Sequence, residues 1–402
     1  MMKLKSIRCI LNQLFCKGKS MPLKILVVIE KNSWVDLHIA NSLELMGHSV
    51  TRFYFGEYIS EFYGVKRHAE QKEKNIALVS TIKTLRDHDG LDLIFCYVYD
   101  DFLLPKYAKE LSNLNIPMVN YNVDMPSQWY RQIRTAQYFN LMLCAQPDYM
   151  ENLARYSKKV FYFPMAAQTL FAKNSEALEK KMYEVTFLGT ALPSRRLLIA
   201  ALSDTTTPLS IFGKYWNSSE SARNIIRSKE KTLSDIVHYA YPRLCAEGLN
   251  KVFQSLLNRF YSNDKENIPV AIPASIIKGK FLNNVSVLFK ESKINLGLTR
   301  YAIDDPNQIG HCQMKLRDFE VPMAGGFYLC EKSPGYDQEF TDGKEVVMWR
   351  TYPELVEKIH YYLRHEDERE TIARAGHRRA LQDHTWEVRF NKLFLELGLS
   401  TN

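Results

Sequence analysis

The sequence predicts an α/β protein of two parallel-sheet domains. Short apolar runs alternate with helix-length amphipathic segments, and the alternation stops at a charged stretch and then begins again. At 402 residues the chain is also longer than one hydrophobic core usually organises. Hydrophobic residues make up 46% and charged residues 24%, a balance that fits packed domains and excludes extensive disorder.

The first half opens with the apolar run Leu23 to Ile29, a buried parallel strand by composition. A polar turn follows, then a helix pattern through Val35, Ile39, Leu43 and Met46 that Gly47 stops. Ser49 to Phe55, Leu91 to Tyr97, Ile116 to Tyr121, Leu141 to Ala145 and Lys159 to Phe163 read as five further strands. Lys173 to Lys181 is charged and is the expected linker. Beyond it come a strand at Glu184 to Leu188, a helix at Arg195 to Ser203 and a strand at Pro208 to Phe212.

Residues 217–278 break the rhythm with helical, Tyr- and Leu-bearing sequence and read as an inserted segment. The alternation resumes with a strand at Lys293 to Leu298, a helix at Lys315 to Ala324 and a strand at Phe327 to Glu331. Thr351 with Glu354 makes a capping box for the helix carrying Leu355, Val356, Ile359, Tyr362 and Leu363. Two more helices follow, Asp367 to Asp383 and Thr385 to Leu397. The expected organisation is an extension over 1–20, a Rossmann-like domain over 21–172, a second over 173–384 and a terminal helical segment over 385–402. When such domains face each other, the carboxyl ends of both sheets line one central cleft, and ligands bind there.

The net charge of +8 arises from 53 basic and 45 acidic residues that are interspersed, which leans towards anionic ligands or a membrane surface. No basic stripe with stacking aromatics marks a nucleic-acid module, so nucleic acid is not an expected partner. The seven cysteines form no C-x-x-C and several lie in apolar runs, which predicts buried thiols in a reducing, cytoplasmic setting. No H-E-x-x-H or finger-like spacing occurs, so no metal is expected. Residues 1–20 carry Lys3, Lys5, Arg8, Lys17 and Lys19 without an acid, with Leu4, Ile7, Leu11 and Leu14 at helical spacing. They read either as a peripheral membrane contact at the inner face or as an extension ahead of Met21.

The most informative segment is Lys315-Leu-Arg-Asp-Phe-Glu-Val-Pro-Met-Ala-Gly-Gly-Phe-Tyr-Leu-Cys-Glu331, a charged helix that ends in Gly325-Gly326 and feeds a strand. It resembles the carboxylate-bearing helix of retaining GT-B glycosyltransferases in the form found in the CgeB-like family. The resemblance implies that Glu320 accepts hydrogen bonds from the ribose of a nucleoside-diphosphate sugar, with Lys315 and Arg317 beside it, and that Gly325 and Gly326 let the backbone approach the sugar donor. An ionised Glu offers about four lone-pair sites to a vicinal diol. The superfamily pattern has a first Glu eight residues earlier, where this chain has Cys312.

A second segment, Val185-Thr-Phe-Leu-Gly-Thr-Ala-Leu-Pro-Ser-Arg-Arg-Leu-Leu198, is a strand, a turn at Gly189 and a helix opening near Ser194. Helix N-termini attract phosphate, and Arg195 or Arg196 can add charge-assisted bonds. The segment is similar to the family's turn after the first strand of the nucleotide domain. No G-x-G-x-x-G follows a strand, so nothing points to NAD. The ending His384-Thr-Trp-Glu-Val-Arg389 is similar to the family's last helix, which crosses back to brace the other domain; His384 and Arg389 are expected to be structural.

In the first half, His38 follows the first strand and Asp124 the fourth, both at strand carboxyl ends facing the cleft. Asp124 is a candidate for acceptor orientation or base work and His38 a weaker one, with hydrogen-bonding or packing roles equally open. Asp100-Asp101 is adjacent, not D-x-D, so it does not form the metal-diphosphate site of the other large glycosyltransferase fold. The resemblance implies transfer from a nucleotide sugar with retention and without a metal, to an acceptor that is a glycan, a protein, a lipid or a small molecule. A sugar-nucleotide epimerase and a non-catalytic binding or surface-assembly protein on the same fold remain as alternatives.

Overall fold

The computed structural model describes residues 21–31, 33–56, 65–173, 181–216, 241–250, 253, 272–279, 285–299 and 312–399. The expected extension 1–20, nearly all of the expected linker and most of the expected insertion lie outside them.

The first sheet has six parallel strands: β1 (Lys24–Ile29), β2 (Ser49–Tyr54), β3 (Leu93–Cys96), β4 (Met118–Asn122), β5 (Leu141–Cys144) and β6 (Val160–Tyr162), ordered β2-β1-β3-β4-β5-β6. The apolar run Ile25 to Ile29 is buried because helices cover both faces of a parallel sheet. The second sheet is β7 (Tyr183–Leu188), β8 (Leu209–Phe212), β9 (Ile277–Gly279), β10 (Ser292–Gly297), β11 (Tyr328–Glu331) and β12 (Val347–Trp349), ordered β12-β11-β10-β7-β8-β9 and parallel throughout. Two six-stranded parallel sheets make this the two-domain α/β architecture that the sequence predicts.

One boundary is corrected. The expected insertion, residues 217–278, ends inside the sheet, since Ile277 and Gly279 pair with Ile211 and Phe212. β9 is three residues long and only half-buried, too short to show a strand period.

Strand order also locates the switch points. In the first sheet the chain leaves β1 towards β2 and returns to add β3 on the other side. In the second, β7 leads to β8 and β9 before β10 adds to its other edge. The carboxyl ends of β1 and β3, and of β7 and β10, are therefore where an open α/β sheet binds ligands.

The two halves share a core. The helix Trp386–Glu396 buries Trp386 and Phe390 against the first sheet, with Phe390 5.8 Å from Phe95 and Trp386 6.2 Å from Phe163 between ring centroids. Full burial of Phe390 is worth about 1.5–3 kcal/mol. A backbone bridge from Ala167 to Thr385 fixes where this helix begins, and the Thr385 hydroxyl caps it by accepting from Val388 N–H at 3.2 Å.

The helix Tyr352–Arg364 is capped at Thr351, whose hydroxyl accepts from Glu354 N–H at 3.4 Å. The return half of the expected capping box is shifted by one residue: Glu354 accepts from Arg350 N–H at 2.7 Å, not from Thr351.

Candidate functional site

The helix Arg317–Ala324 enters the second sheet's carboxyl side by way of Gln313, Met314 and Lys315. Its first turn is locked by Asp318, a buried residue. The Asp318 carboxylate accepts from Lys315 N–H at 2.5 Å and from the Tyr328 hydroxyl at 2.7 Å. Burial pushes its pKa up to about 6 against these two bonds. With Asp318 turned inward, Glu320 faces the first domain.

Two polar contacts then cross from one half to the other. Lys315 Nζ lies 3.3 Å from Asp124 Oδ1, and His38 Nε2 lies 3.9 Å from Glu320 Oε1. Glu320 is 4% exposed and also accepts from Arg317 at 2.8 Å. Burial holds the His38 imidazole below its ordinary pKa, with Glu320 pulling it up and Arg317 pushing it down, so the ring is mostly neutral near pH 7. Its Nδ1 is buried without a hydrogen-bond partner. Lys315 is lowered by the same desolvation, opposed by Asp124.

The wall beside these pairs is aromatic. Trp34, just after β1, meets Tyr97, just after β3, edge-on at 5.8 Å, and stands 6.2 Å from the His38 ring. This is the switch point of the first sheet. At the switch point of the second sheet, Arg195 donates to the carbonyls of Thr190 at 3.1 Å and Leu298 at 3.2 Å, tying the end of β7 to the end of β10. Burial lowers its pKa to about 10.

Among the expected site residues, the catalytic candidates Asp124 and His38 and the nucleotide-sugar candidates Glu320, Lys315 and Arg317 converge on the cleft. Arg195 reaches its edge but is committed to two carbonyls. Arg196 turns away: it donates to the carbonyls of Tyr215 and of Trp216, the latter at 3.2 Å, and stacks over the Trp216 ring. Gly189 lies at the cleft end of β7, packed under the Phe187 ring, which a Cβ would meet at 2.8 Å. Its N–H donates to Phe212 and its carbonyl accepts from the Trp216 indole, so it shapes the turn.

Gly325 and Gly326 require correction. They lie at the amino end of β11, opposite the cleft. Gly325, at φ 82°, ends the helix in the left-handed conformation, and Gly326 makes room for the Phe289 carbonyl, 2.7 Å from where its Cβ would stand. Their smallness serves helix termination and packing, and the backbone that faces the cleft is at the other end of the helix.

Sequence reasoning passed over Gln313. Its amide Nε2 donates to Asp124 Oδ1 at 3.0 Å from the facing domain, and it is 1% exposed. Nothing in the local pattern flags a lone Gln ahead of a helix; the signal is a contact 189 residues away in sequence. The adjacent acids Asp100 and Asp101 are occupied in loop structure: Asp100 accepts from Arg134 N–H, Thr135 N–H and the Thr135 hydroxyl, and Asp101 pairs with Arg131 at 2.5 Å. Among the described residues no group of three or more His, Cys, Asp or Glu side chains is placed to hold a metal ion, and no helix is long and apolar enough to cross a membrane.

This arrangement has relatives of known structure. Sucrose-phosphate synthase from Thermosynechococcus elongatus superimposes with a TM-score of 0.59 at 11% identity, covering 94% of this chain and 100% of that one. The trehalose-phosphate synthase of Burkholderia vietnamiensis, described as UDP-forming, gives 0.58 at 12% identity over 94% and 100% of the two chains. The fold is GT-B. Anabaena HepE, solved in complex with UDP-glucose, shares the GT-B architecture with a TM-score of 0.58 at 12% identity over 94% and 99%. A family model described as glycosyl transferase-like matches residues 275–394, the stretch that carries Lys315, Glu320, His384 and Arg389. No curated protein sequence matches the chain.

Proposed function

We propose that this protein is a glycosyltransferase that moves a sugar from a nucleoside-diphosphate sugar to an acceptor hydroxyl, in the manner of the CgeB-like branch. The observation that carries this is the pair of contacts Asp124–Lys315 and His38–Glu320, the first ionic and the second between a neutral imidazole and a carboxylate, which bring titratable groups of both domains to one place at the sheets' carboxyl ends. The family match over 275–394 and the binding of UDP-glucose by a protein of the same fold support it.

In this reading Glu320, aimed by Arg317, receives the ribose hydroxyls, and Lys315 meets the diphosphate as charge builds on it. Asp124 orients the acceptor hydroxyl from the first domain. The bond from the anomeric carbon to the phosphate oxygen breaks while the bond to the acceptor oxygen forms on the same face; the acceptor's proton passes to the leaving phosphate. No protein nucleophile and no metal take part in this scheme. The trp-lined wall and the close approach of the two domains keep water from the sugar.

Cys312 favours a second reading. It is buried at the position where the wider superfamily pattern has a sugar-contacting Glu, and a binding protein descended from an enzyme would show such a change. A thermal-shift panel of UDP, GDP, CMP, dTDP and ADP sugars, with and without EDTA and followed by a product assay, separates the two. Stabilisation by one sugar nucleotide with release of its nucleotide supports transfer. Stabilisation without turnover on any acceptor class supports the binding protein, and no stabilisation sinks both.

A further inference from the structure

We infer that Gln313 is the residue that reads a hydroxyl of the donor sugar, taking over the contact that a carboxylate at position 312 would make. The inference rests on the nucleotide-sugar reading above.

The geometry is specific. Gln313 is 1% exposed, and one end of its amide is held: Nε2 donates to Asp124 Oδ1 at 3.0 Å. A carboxylate oxygen facing an amide must receive an N–H, so chemistry fixes which end is nitrogen. The other end, Oε1, is therefore an acceptor, and it is buried with no hydrogen-bond partner. An unmatched buried carbonyl oxygen is costly and rare in a folded protein. It is matched when something carrying an O–H or N–H arrives.

The surroundings select a sugar hydroxyl. Lys315 Nζ stands 3.3 Å from the same Asp124 oxygen, so a cation suited to a diphosphate neighbours the free acceptor. Gln313 precedes the Arg317–Ala324 helix that presents Glu320, on the side of the cleft where the nucleotide is placed. Two more acceptors or donors without partners, Thr299 Oγ1 beyond β10 and Ser333 Oγ beyond β11, lie at the carboxyl ends of the same sheet. A polyhydroxylated ring satisfies such a set; an apolar or purely anionic ligand does not. Asp124 acts here as a positioning residue for Gln313 in addition to its proposed part in orienting the acceptor.

The test compares wild type with Gln313→Leu and Gln313→Met by calorimetry, using the sugar nucleotide that stabilises the protein most and the matching free nucleoside diphosphate. Gln313→Leu is expected to weaken the sugar nucleotide roughly tenfold and leave the free diphosphate unchanged. Across singly deoxyfluorinated donors, one member should bind wild type about tenfold more weakly than its parent, and Gln313→Leu should no longer distinguish the two. Unchanged free-diphosphate binding reports that the variant is folded, and Gln313→Met, of similar length and without the acceptor oxygen, repeats the measurement should Leu not fold. Equal losses for both ligands, or a full deoxyfluoro penalty retained in the variants, overturn the inference and leave the nucleotide-sugar reading standing. Absence of any sugar-nucleotide binding by wild type overturns that reading, and this inference with it.

Discussion

Two of the places where the two halves of the molecule meet through charged groups are built differently. Behind the cleft, Glu339 is enclosed by Arg389 at 2.7 Å, His384 at 3.2 Å and the Tyr162 hydroxyl at 2.9 Å, while His384 Nε2 also meets the Glu339 carbonyl at 2.8 Å. Both carboxylate oxygens are bonded, and the cluster ties the last helix, the second domain and β6 together. In the cleft, by contrast, Asp124–Lys315 and His38–Glu320 are longer, the first of them is partly wet, and their own residues or neighbours carry buried polar atoms without partners, His38 Nδ1 and Gln313 Oε1. The Glu339 carboxylate is matched at both oxygens, although Arg389 Nε beside it is not, and a matched buried charge fixes a structure, whereas unmatched groups in a cleft cost stability unless a ligand completes them. The comparison assigns architecture to the first cluster and binding to the second.

The strongest way to break that assignment is Arg389→Ala. It leaves the Glu339 charge buried with fewer partners and should cost about 3–5 kcal/mol in denaturant unfolding, with nucleotide affinity in the surviving folded protein unchanged. Lost affinity at intact stability would reverse the roles of the two clusters.

Acid sharpens the contrast. Burial alone would raise the Glu339 carboxyl, but His384, Arg389 and Tyr162 hold it down at about 2. Its contribution is therefore fully present above about pH 4.5 and is lost as the pH falls from there towards 2, a shift corresponding to roughly 3 kcal/mol. His38 responds in a higher window: its pKa is lowered by burial, so below about pH 6.5 the unfolded chain takes up a proton that the folded chain resists, and stability declines with acidification. Unfolding measured from pH 8 to pH 3 should show both declines, with Arg389→Ala removing much of the lower one.

Glu320→Ala should weaken sugar-nucleotide binding by roughly 1.5–3 kcal/mol through lost charge-assisted bonds, with the fold retained. Unchanged affinity by calorimetry would remove Glu320 from the site. The smallest effect expected is that of Gly325→Ala. A Cβ at φ 82° costs about 1–2 kcal/mol of stability, and because the residue caps the helix end away from the cleft, nucleotide affinity should not move.

Much of the architecture was legible in the sequence because it is written in local periods. Apolar runs such as Leu23 to Ile29 announce buried strands wherever they fall, and Thr351 and Thr385 announce helix starts by a hydroxyl before an amphipathic run. β9 escaped because three residues, none of them buried, are too few to carry a period. The candidate site was legible only as separate residues: His38, Asp124, Lys315 and Glu320 could be placed at strand or helix ends, but not beside one another.

The sequence by itself determined the elements, the repeat of the α/β pattern and the charged helix, since hydrophobic period and capping chemistry act over a few residues. The tertiary structure alone decided that Gly325 and Gly326 face away from the cleft, that Arg196 serves the Tyr215 and Trp216 carbonyls, and that Gln313 bonds to Asp124. Those outcomes depend on which way a helix points once two sheets meet, and on contacts between groups nearly two hundred residues apart, which no local period encodes.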